Sequence, residues 1–159
     1  MKILLAFLLL FCNMSYAAQR NISIHYYSNG SPFDLGVFYE ALGRAAVYWY
    51  QNCVVVFSIS LIDEMNFPKE SPGAVSVSFG ALPAGKLGAT SNQTILGKWR
   101  SSTVTISPNA SSKTIERVLA HELGHVLGLE HTLDKRGIMS PDLSGNKLSQ
   151  EERNICRNS

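Results

Sequence analysis

Apolar and polar residues alternate in several short stretches of the chain. Residues 22–27, 74–79 and 102–106 place apolar side chains at every second position, which is the period of a half-buried β-strand. Residues 53–61 are apolar and rich in β-branched side chains, as strands often are. A Gly- and Pro-containing loop precedes residues 87–90, which we predict to be a short edge strand.

Apolar residues at three-to-four spacing predict two longer helices. The first covers about residues 32–51, with Ser31 as N-cap and Asp34 as the acidic residue of a capping box. The second follows Ser111 or Ser112 as its cap, and its apolar residues cover more than one face, so we expect protein around most of it. Strand, helix, several strands and helix in this order predict an α/β sandwich with one central sheet.

Composition indicates one ordinary domain. The chain has 159 residues, of which 45% are hydrophobic and 16% charged, so it can bury a core and is not a disordered tail. The formal net charge is +2 and comes without a run of Lys or Arg. Nucleic acid is therefore not an expected partner.

The first seventeen residues have the three parts of a secretory signal peptide. Lys2 supplies a positive charge, residues 3–11 are apolar, and Ser15 and Ala17 are the small residues of a cleavage site. A membrane anchor is the alternative, but the apolar run is far shorter than the roughly 20 residues that span a bilayer. We predict a signal peptide at residues 1–17 and a single domain at 18–159, exported to the extracellular space or, in a Gram-negative bacterium, to the periplasm.

Two cysteines remain after removal of the predicted signal peptide. They are Cys53 and Cys156. In an exported domain of this size, such a pair favours a disulfide, whereas in the cytosol two buried thiols would be the more common outcome. Whether the bond forms is left open by the sequence.

Three of the four histidines lie in one short segment that carries the candidate chemistry. His121 and His125 are one helical turn apart, so both imidazoles can reach one ion. His131 would lie about 15 Å from His121 along a continuous helix, too far for a bond of about 2.0–2.1 Å. The helix must therefore stop, and Gly128 can stop it by adopting a left-handed conformation.

Three nitrogen ligands predict a catalytic zinc ion rather than a structural one, because the fourth position stays open for water. Glu122 lies about 100° round the helix from His121, where it can take a proton from that water and pass it to the departing amine. A lone His-Glu-x-x-His also occurs by chance on solvated helices. Five fixed residues in one register, on a predicted helix, favour the metal site.

These residues resemble the metzincin zinc endopeptidases, and most closely the matrixins. All five fixed positions of the extended motif match, and Met139 in residues 138–141 stands where the group has its Met-turn. Thr132 after the third histidine and the start of a terminal helix at 148–151 are matrixin features; Ser149 also begins a capping box there. The resemblance implies a zincin-like catalytic domain with a twisted, mostly parallel sheet, an antiparallel edge strand, a long backing helix, an active-site helix and a short C-terminal helix.

Departures from the matrixin pattern limit what the resemblance implies. Only residues 18–20 separate the predicted cleavage point from the first strand, so we expect no propeptide cysteine that blocks the zinc. The remaining histidine, His25, and four scattered Asp do not predict further metal sites, so we expect one zinc ion and no calcium. Ser140 replaces the usual Tyr and residues 142–147 are short, so side-chain preference is not carried over.

The sequence thus predicts a secreted, monomeric zinc endopeptidase with peptide or protein substrates. The resemblance implies that substrate pairs with an edge strand, for which residues 87–91 are the candidate. One alternative is a zinc-bearing domain that binds a peptide or protein without cutting it. The other is a small exported interaction domain stabilised by Cys53 and Cys156. Activity is expected to fall on acidification, since protons compete with metal for the histidines.

Overall fold

The computed structural model describes residues 20–27, 31–61 and 73–158. The predicted signal peptide at 1–17 lies outside these residues. Within them, no helix is long and apolar enough to cross a bilayer. The described residues form five strands and three helices, in the order β1 (Arg20–Tyr26), α1 (Leu35–Cys53), β2 (Val55–Leu61), β3 (Ala74–Phe79), β4 (Gly88–Ile95), β5 (Lys98–Ile106), α2 (Ile115–Val126) and α3 (Gln150–Asn158).

The five strands form one sheet in the order β2-β1-β3-β5-β4. β1 pairs in parallel with both β2 and β3, and β3 pairs in parallel with β5. β4 is antiparallel to β5 and lies at the edge of the sheet. The predicted mixed α/β fold, with a mostly parallel sheet and an antiparallel edge strand, is confirmed.

Helix α1 begins later than the sequence predicts, because a different residue caps it. Asp34 is the N-cap, and its carboxylate accepts hydrogen bonds from the backbone N–H groups of Gly36 at 2.9 Å and Val37 at 3.4 Å. Ser31 instead bonds within its own turn, where its hydroxyl accepts from the N–H of Phe33. Asp34 rather than Ser31 caps the helix because its anionic carboxylate accepts from the free N–H groups at the positive end of the helix dipole.

The predicted cap of α2 also needs correction. The helix starts at Ile115 after Thr114, whose side chain makes no capping hydrogen bond. Ser111 lies one turn earlier, and its carbonyl accepts from the N–H groups of both Thr114 and Ile115. A tight turn with this bonding occupies the residues that the sequence assigned to the helix start, so neither Ser111 nor Ser112 is the cap.

The edge hairpin is longer than predicted. The two-residue turn Leu96–Gly97 joins β4 to β5, and both residues have positive φ, of 52° and 73°. Such a turn matches the twist of paired strands. The sequence does not reveal it, because leucine rarely adopts the left-handed region and the exposed polar residues around the turn show no alternation.

Helices α1 and α2 pack together and carry much of the core. The indole N–H of Trp49, which is fully buried in α1, donates to the carbonyl of Ala120 in α2 at 2.9 Å. Most of α2 is buried, as its apolar pattern predicts. A disulfide between Cys53 and Cys156 joins the end of α1 to α3. The capping box before α3 is present, since Ser149 and Glu152 exchange hydrogen bonds.

Candidate active site

Three imidazoles converge near the C-terminal end of α2. His121 and His125 are one turn apart on the helix, and His131 follows its end. The Nε2 atom of His131 lies 3.2 Å from the Nε2 atom of His121 and 3.2 Å from that of His125. A tetrahedral zinc ion with bonds of about 2.0–2.1 Å holds its ligand nitrogens roughly 3.3 Å apart. Two of the three pairs match this spacing, and all three ligand atoms lie within 4.8 Å of one another, so the three imidazoles could hold one such ion.

The chain reverses direction at Gly128, which brings the third imidazole to the other two. Gly128 has a φ of 83°, a conformation that glycine adopts without steric cost. Its N–H donates to the carbonyl of His125, and the N–H of Leu129 donates to the carbonyl of Gly124. These two bonds form a Schellman C-cap. The helix thus ends where the sequence predicts, and for the predicted reason.

Hydrogen bonds at the opposite ring nitrogens orient two of the imidazoles. Nδ1 of His121 is 2.9 Å from the carbonyl of Ile138, and Nδ1 of His125 is 2.7 Å from the carbonyl of Leu129. A carbonyl only accepts, so each neutral ring carries its proton on Nδ1 and presents a free lone pair on Nε2. Burial lowers the pKa of His121 to about 4, against the smaller opposite effect of the Ile138 hydrogen bond.

A fully buried methionine packs against α2. Met139 packs against Gly124, and any side chain at position 124 would collide with its sulfur. The turn around it is held at both sides, since Ile138 N–H donates to the carbonyl of Lys147 and Thr132 N–H to that of Met139. The same turn supplies the Ile138 carbonyl that orients His121. The Met-turn segment thus positions an imidazole as well as the helix.

Glu122 lies buried between α2 and the edge strand β4. Its Oε2 atom accepts a hydrogen bond of 2.6 Å from the hydroxyl of Thr90. A Cβ atom at Gly88 would lie 2.5 Å from Oε1, so the carboxylate occupies the space that a side chain there would fill. Burial raises the pKa of Glu122, and the hydrogen bond from Thr90 opposes that rise.

Sequence reasoning missed Thr90 and Gly88 as parts of this site. Both lie in or next to the predicted edge strand, but nothing local connects them to Glu122, which is 32 residues after Thr90. The alternation of positions 88 and 90 on one face was the available signal. Gly85 and Gly88 obscured it, because glycine has no side chain to indicate which face is buried.

A cavity of about 590 Å³ opens above the imidazoles and Glu122. Residues 85–90 line one side of it, and residues 141–143 line another. Asp142 in the second wall accepts hydrogen bonds from Ser144 and Ser140, which lower its pKa to about 2. The cleft is large enough for part of an extended peptide and is bounded by the edge strand.

Comparison with known proteins agrees with these features. Residues 9–156 match the matrixin peptidase family. The chain belongs to the matrixin family. This matrixin is 50% identical over 40 residues to metalloendoproteinase 1 of Glycine max, which is 25% of the chain and 13% of that protein. Its fold is similar to that of metalloproteinase-II from Bacteroides fragilis, with a TM-score of 0.63 and 14% identity over 89% of this chain and 53% of the other.

The matrixin chain therefore spans only part of the length of each relative. Membership of the family implies zinc as the metal. The predicted resemblance to matrixins is confirmed. The three histidines form the group of side chains that could hold a metal ion in the described part of the chain.

Proposed function

We propose that this chain is an exported zinc endopeptidase. His121, His125 and His131 are the zinc ligands, and Glu122 is the general base. The observation that supports this most strongly is the convergence of three imidazoles whose ligand atoms lie within 4.8 Å of one another, with two of the three pairs 3.2 Å apart, as zinc ligands require. A buried carboxylate beside them, at the edge of a sheet, completes what peptide-bond hydrolysis requires.

Zinc bound by three imidazoles supplies a Lewis acid that polarises a carbonyl and makes water more acidic. Glu122 accepts a proton from the attacking water while the water oxygen bonds to the substrate carbonyl carbon. It then returns the proton to the amide nitrogen as the C–N bond breaks. Burial, which raises the pKa of Glu122, makes this carboxylate a better proton acceptor than an exposed one.

Substrate binds in extended form along β4. This strand pairs with β5 on one side, and within the described residues it has no partner strand on the other side. An extended peptide can use the free N–H and C=O groups of such an edge. Because Glu122 and the histidines line the same cavity as Gly88 and Thr90, the scissile bond then lies above the catalytic groups.

The decisive experiment compares the wild type with Glu122→Ala by metal analysis and digestion of a mixed peptide library. We expect one zinc ion per chain and no calcium in both proteins, with cleavage by the wild type alone. Glu151→Ala, which removes an exposed carboxylate from α3, is the matched control and should cleave normally.

Three outcomes contradict the proposal in different ways. Equal cleavage by wild type and Glu122→Ala would show that Glu122 is not the general base. Zinc bound to a wild type that cleaves no peptide would indicate the alternative, a zinc-bearing domain that binds a peptide or protein without cutting it. Absence of zinc from protein purified without chelators would leave an interaction domain stabilised by the disulfide between Cys53 and Cys156.

Export is proposed from the pattern of residues 1–17, and the disulfide is consistent with an oxidising compartment. N-terminal sequencing of protein collected outside the cytoplasm tests this. The first residue should be Ala18. Recovery of the intact N-terminus from the cytosol, with Cys53 and Cys156 reduced, would contradict export.

A further inference from the structure

Alternate residues of the edge strand face the active-site helix. Gly88 leaves space for the side chain of Glu122, and Thr90 is hydrogen-bonded to it. Two residues further, the amide of Asn92 donates to the carbonyl of His125 at 2.8 Å. Because side chains of a strand alternate between faces, these three positions form one continuous contact with α2. The side chains between them point to the opposite face of the sheet, away from α2.

The two carboxylate oxygens of Glu122 have different surroundings. The hydroxyl of Thr90 donates to Oε2 at 2.6 Å and also lies 3.1 Å from the carbonyl oxygen of Glu122. Oε1 lies over Gly88, and no hydrogen bond reaches it from any described residue. One oxygen is therefore held and the other is available for a proton.

Thr90 is itself held in place. Its β-branched side chain has few rotamers, and its neighbour Asn92 is fixed from two sides. The hydroxyl of Ser102 donates to the side-chain oxygen of Asn92, while the amide of Asn92 bonds to His125. The strand at position 90 thus cannot shift along α2 without breaking these bonds. The hydroxyl of Thr90 is therefore held beside Glu122.

We propose that Thr90 is a positioning residue for Glu122, whose hydroxyl holds Oε2 so that Oε1 is the oxygen that accepts and returns the proton. This inference rests on the proposed peptidase function. It assigns to the edge strand a second task besides pairing with substrate, because the strand also aligns the general base. Alignment of a catalytic group has a larger effect on turnover than on the affinity for substrate.

Three variants test the role of Thr90. Thr90→Val removes the hydroxyl with little change of volume, Thr90→Ser keeps the hydroxyl, and Thr103→Val makes the same exchange at an exposed position of β5. We expect Thr90→Val to lower kcat about tenfold or more with less than a twofold change of KM. Thr90→Ser should recover most of kcat, Thr103→Val should match the wild type, and all should bind one zinc ion.

Two kinetic results would overturn the proposal. One is a wild-type kcat in Thr90→Val. The other is an equal loss of kcat in Thr90→Val and Thr90→Ser, because the loss would then come from packing and not from the hydroxyl. A parallel loss of zinc would likewise assign the effect to the metal site.

A double-mutant cycle in metal-free protein separates this proposal from the peptidase function. Urea midpoints are measured for Thr90→Val, Glu122→Ala and the double variant. We expect the midpoint shift of the double variant to be smaller than the sum of the single shifts, since both remove one interaction. Additive shifts would show that Thr90 does not hold Glu122, whatever the activity. If the shifts are coupled but the protein cleaves no peptide, Thr90 holds Glu122 but the proposed peptidase function is wrong. The proton-accepting role of Oε1 is then wrong as well.

Discussion

Gly124 lies where α2 crosses the turn that carries Met139. A Cβ atom there would collide with the sulfur of Met139 and lie 2.9 Å from Cζ2 of Trp49. The close approach of these groups brings the helix near enough for His121 to reach the carbonyl of Ile138. At the scale of single residues, the site thus depends on a missing side chain as much as on the side chains present.

Gly124→Ala should destabilise the protein. Alanine favours a helix by about 1 kcal/mol over glycine, but overpacking costs about 1–3 kcal/mol. We expect a net loss of about 1 kcal/mol in the free energy of unfolding, measured by urea denaturation. Gly43→Ala on α1 is the matched control, since nothing lies within 4 Å of its new Cβ; it should be stabilising. A stabilised Gly124→Ala would contradict the packing against Met139.

Buried His121 should make the metal-free protein sensitive to moderate acid. Its pKa is lowered to about 4, whereas in the unfolded chain it is near 6.5. Between these values the unfolded state binds more protons, so stability is full above about pH 6.5, falls as pH is lowered, and levels off near pH 4. Burial raises the pKa of Glu122, which acts in the opposite direction.

Comparison with His121→Gln isolates the contribution of His121 from that of Glu122. Urea midpoints of both metal-free proteins are measured at several pH values from 7 to 4. The wild type should lose more stability across this range than His121→Gln. Parallel curves would mean that His121 is not held neutral by burial.

At the scale of elements, residues near in sequence determine where helices and strands lie, but competing signals shift their ends. The terminal helix begins at its predicted capping box. α1 offers two capping residues, Ser31 and Asp34, and only the folded chain distinguishes them. β4 and β5 extend to a turn at Leu96–Gly97 because pairing between the two strands outweighs the poor local preference of leucine for positive φ.

Replacement of each candidate cap distinguishes the two starts of α1. Asp34→Ala should lower the free energy of unfolding by about 1 kcal/mol, because it leaves the N–H groups of Gly36 and Val37 without their acceptor. Ser31→Ala should cost clearly less, since it removes only a bond within its own turn. The reverse order of the two losses, measured by thermal or urea denaturation, would place the cap at Ser31.

At the scale of the whole molecule, a disulfide bond joins the first helix of the described fold to the last. Cys53 closes α1, Cys156 lies in α3, and the two are separated by 103 residues. α3 also contacts α1 through Arg153, whose guanidinium donates to the side chain of Asn52. The last helix is thereby fastened to the long backing helix, on which α2 packs through Trp49.

Removing the disulfide should cost much of the stability and leave the zinc site intact. The chain-entropy relation for a loop of this length gives about 4–5 kcal/mol. We expect the double variant Cys53→Ala, Cys156→Ala to lose up to that amount in urea denaturation while still binding one zinc ion. Wild type treated with reductant is the control and should lose a similar amount. Unchanged stability in both would show that the bond contributes little to the fold.

The sequence by itself determined the elements and the chemistry that depend on near neighbours. Apolar periodicity and β-branched runs predicted most of the strands and helices, and the spacing of His121, His125 and His131 with a glycine before the last predicted the candidate metal site. Each of these signals acts within one or two turns of chain.

Tertiary structure alone decided how β4 meets α2, and therefore that Thr90 and Gly88 surround Glu122. It also decided that Asp34 rather than Ser31 begins α1. The physical reason is that a contact between residues 32 positions apart is set by sheet register and helix packing. A shift of one residue in that register would turn the hydroxyl of Thr90 to the opposite face of the sheet.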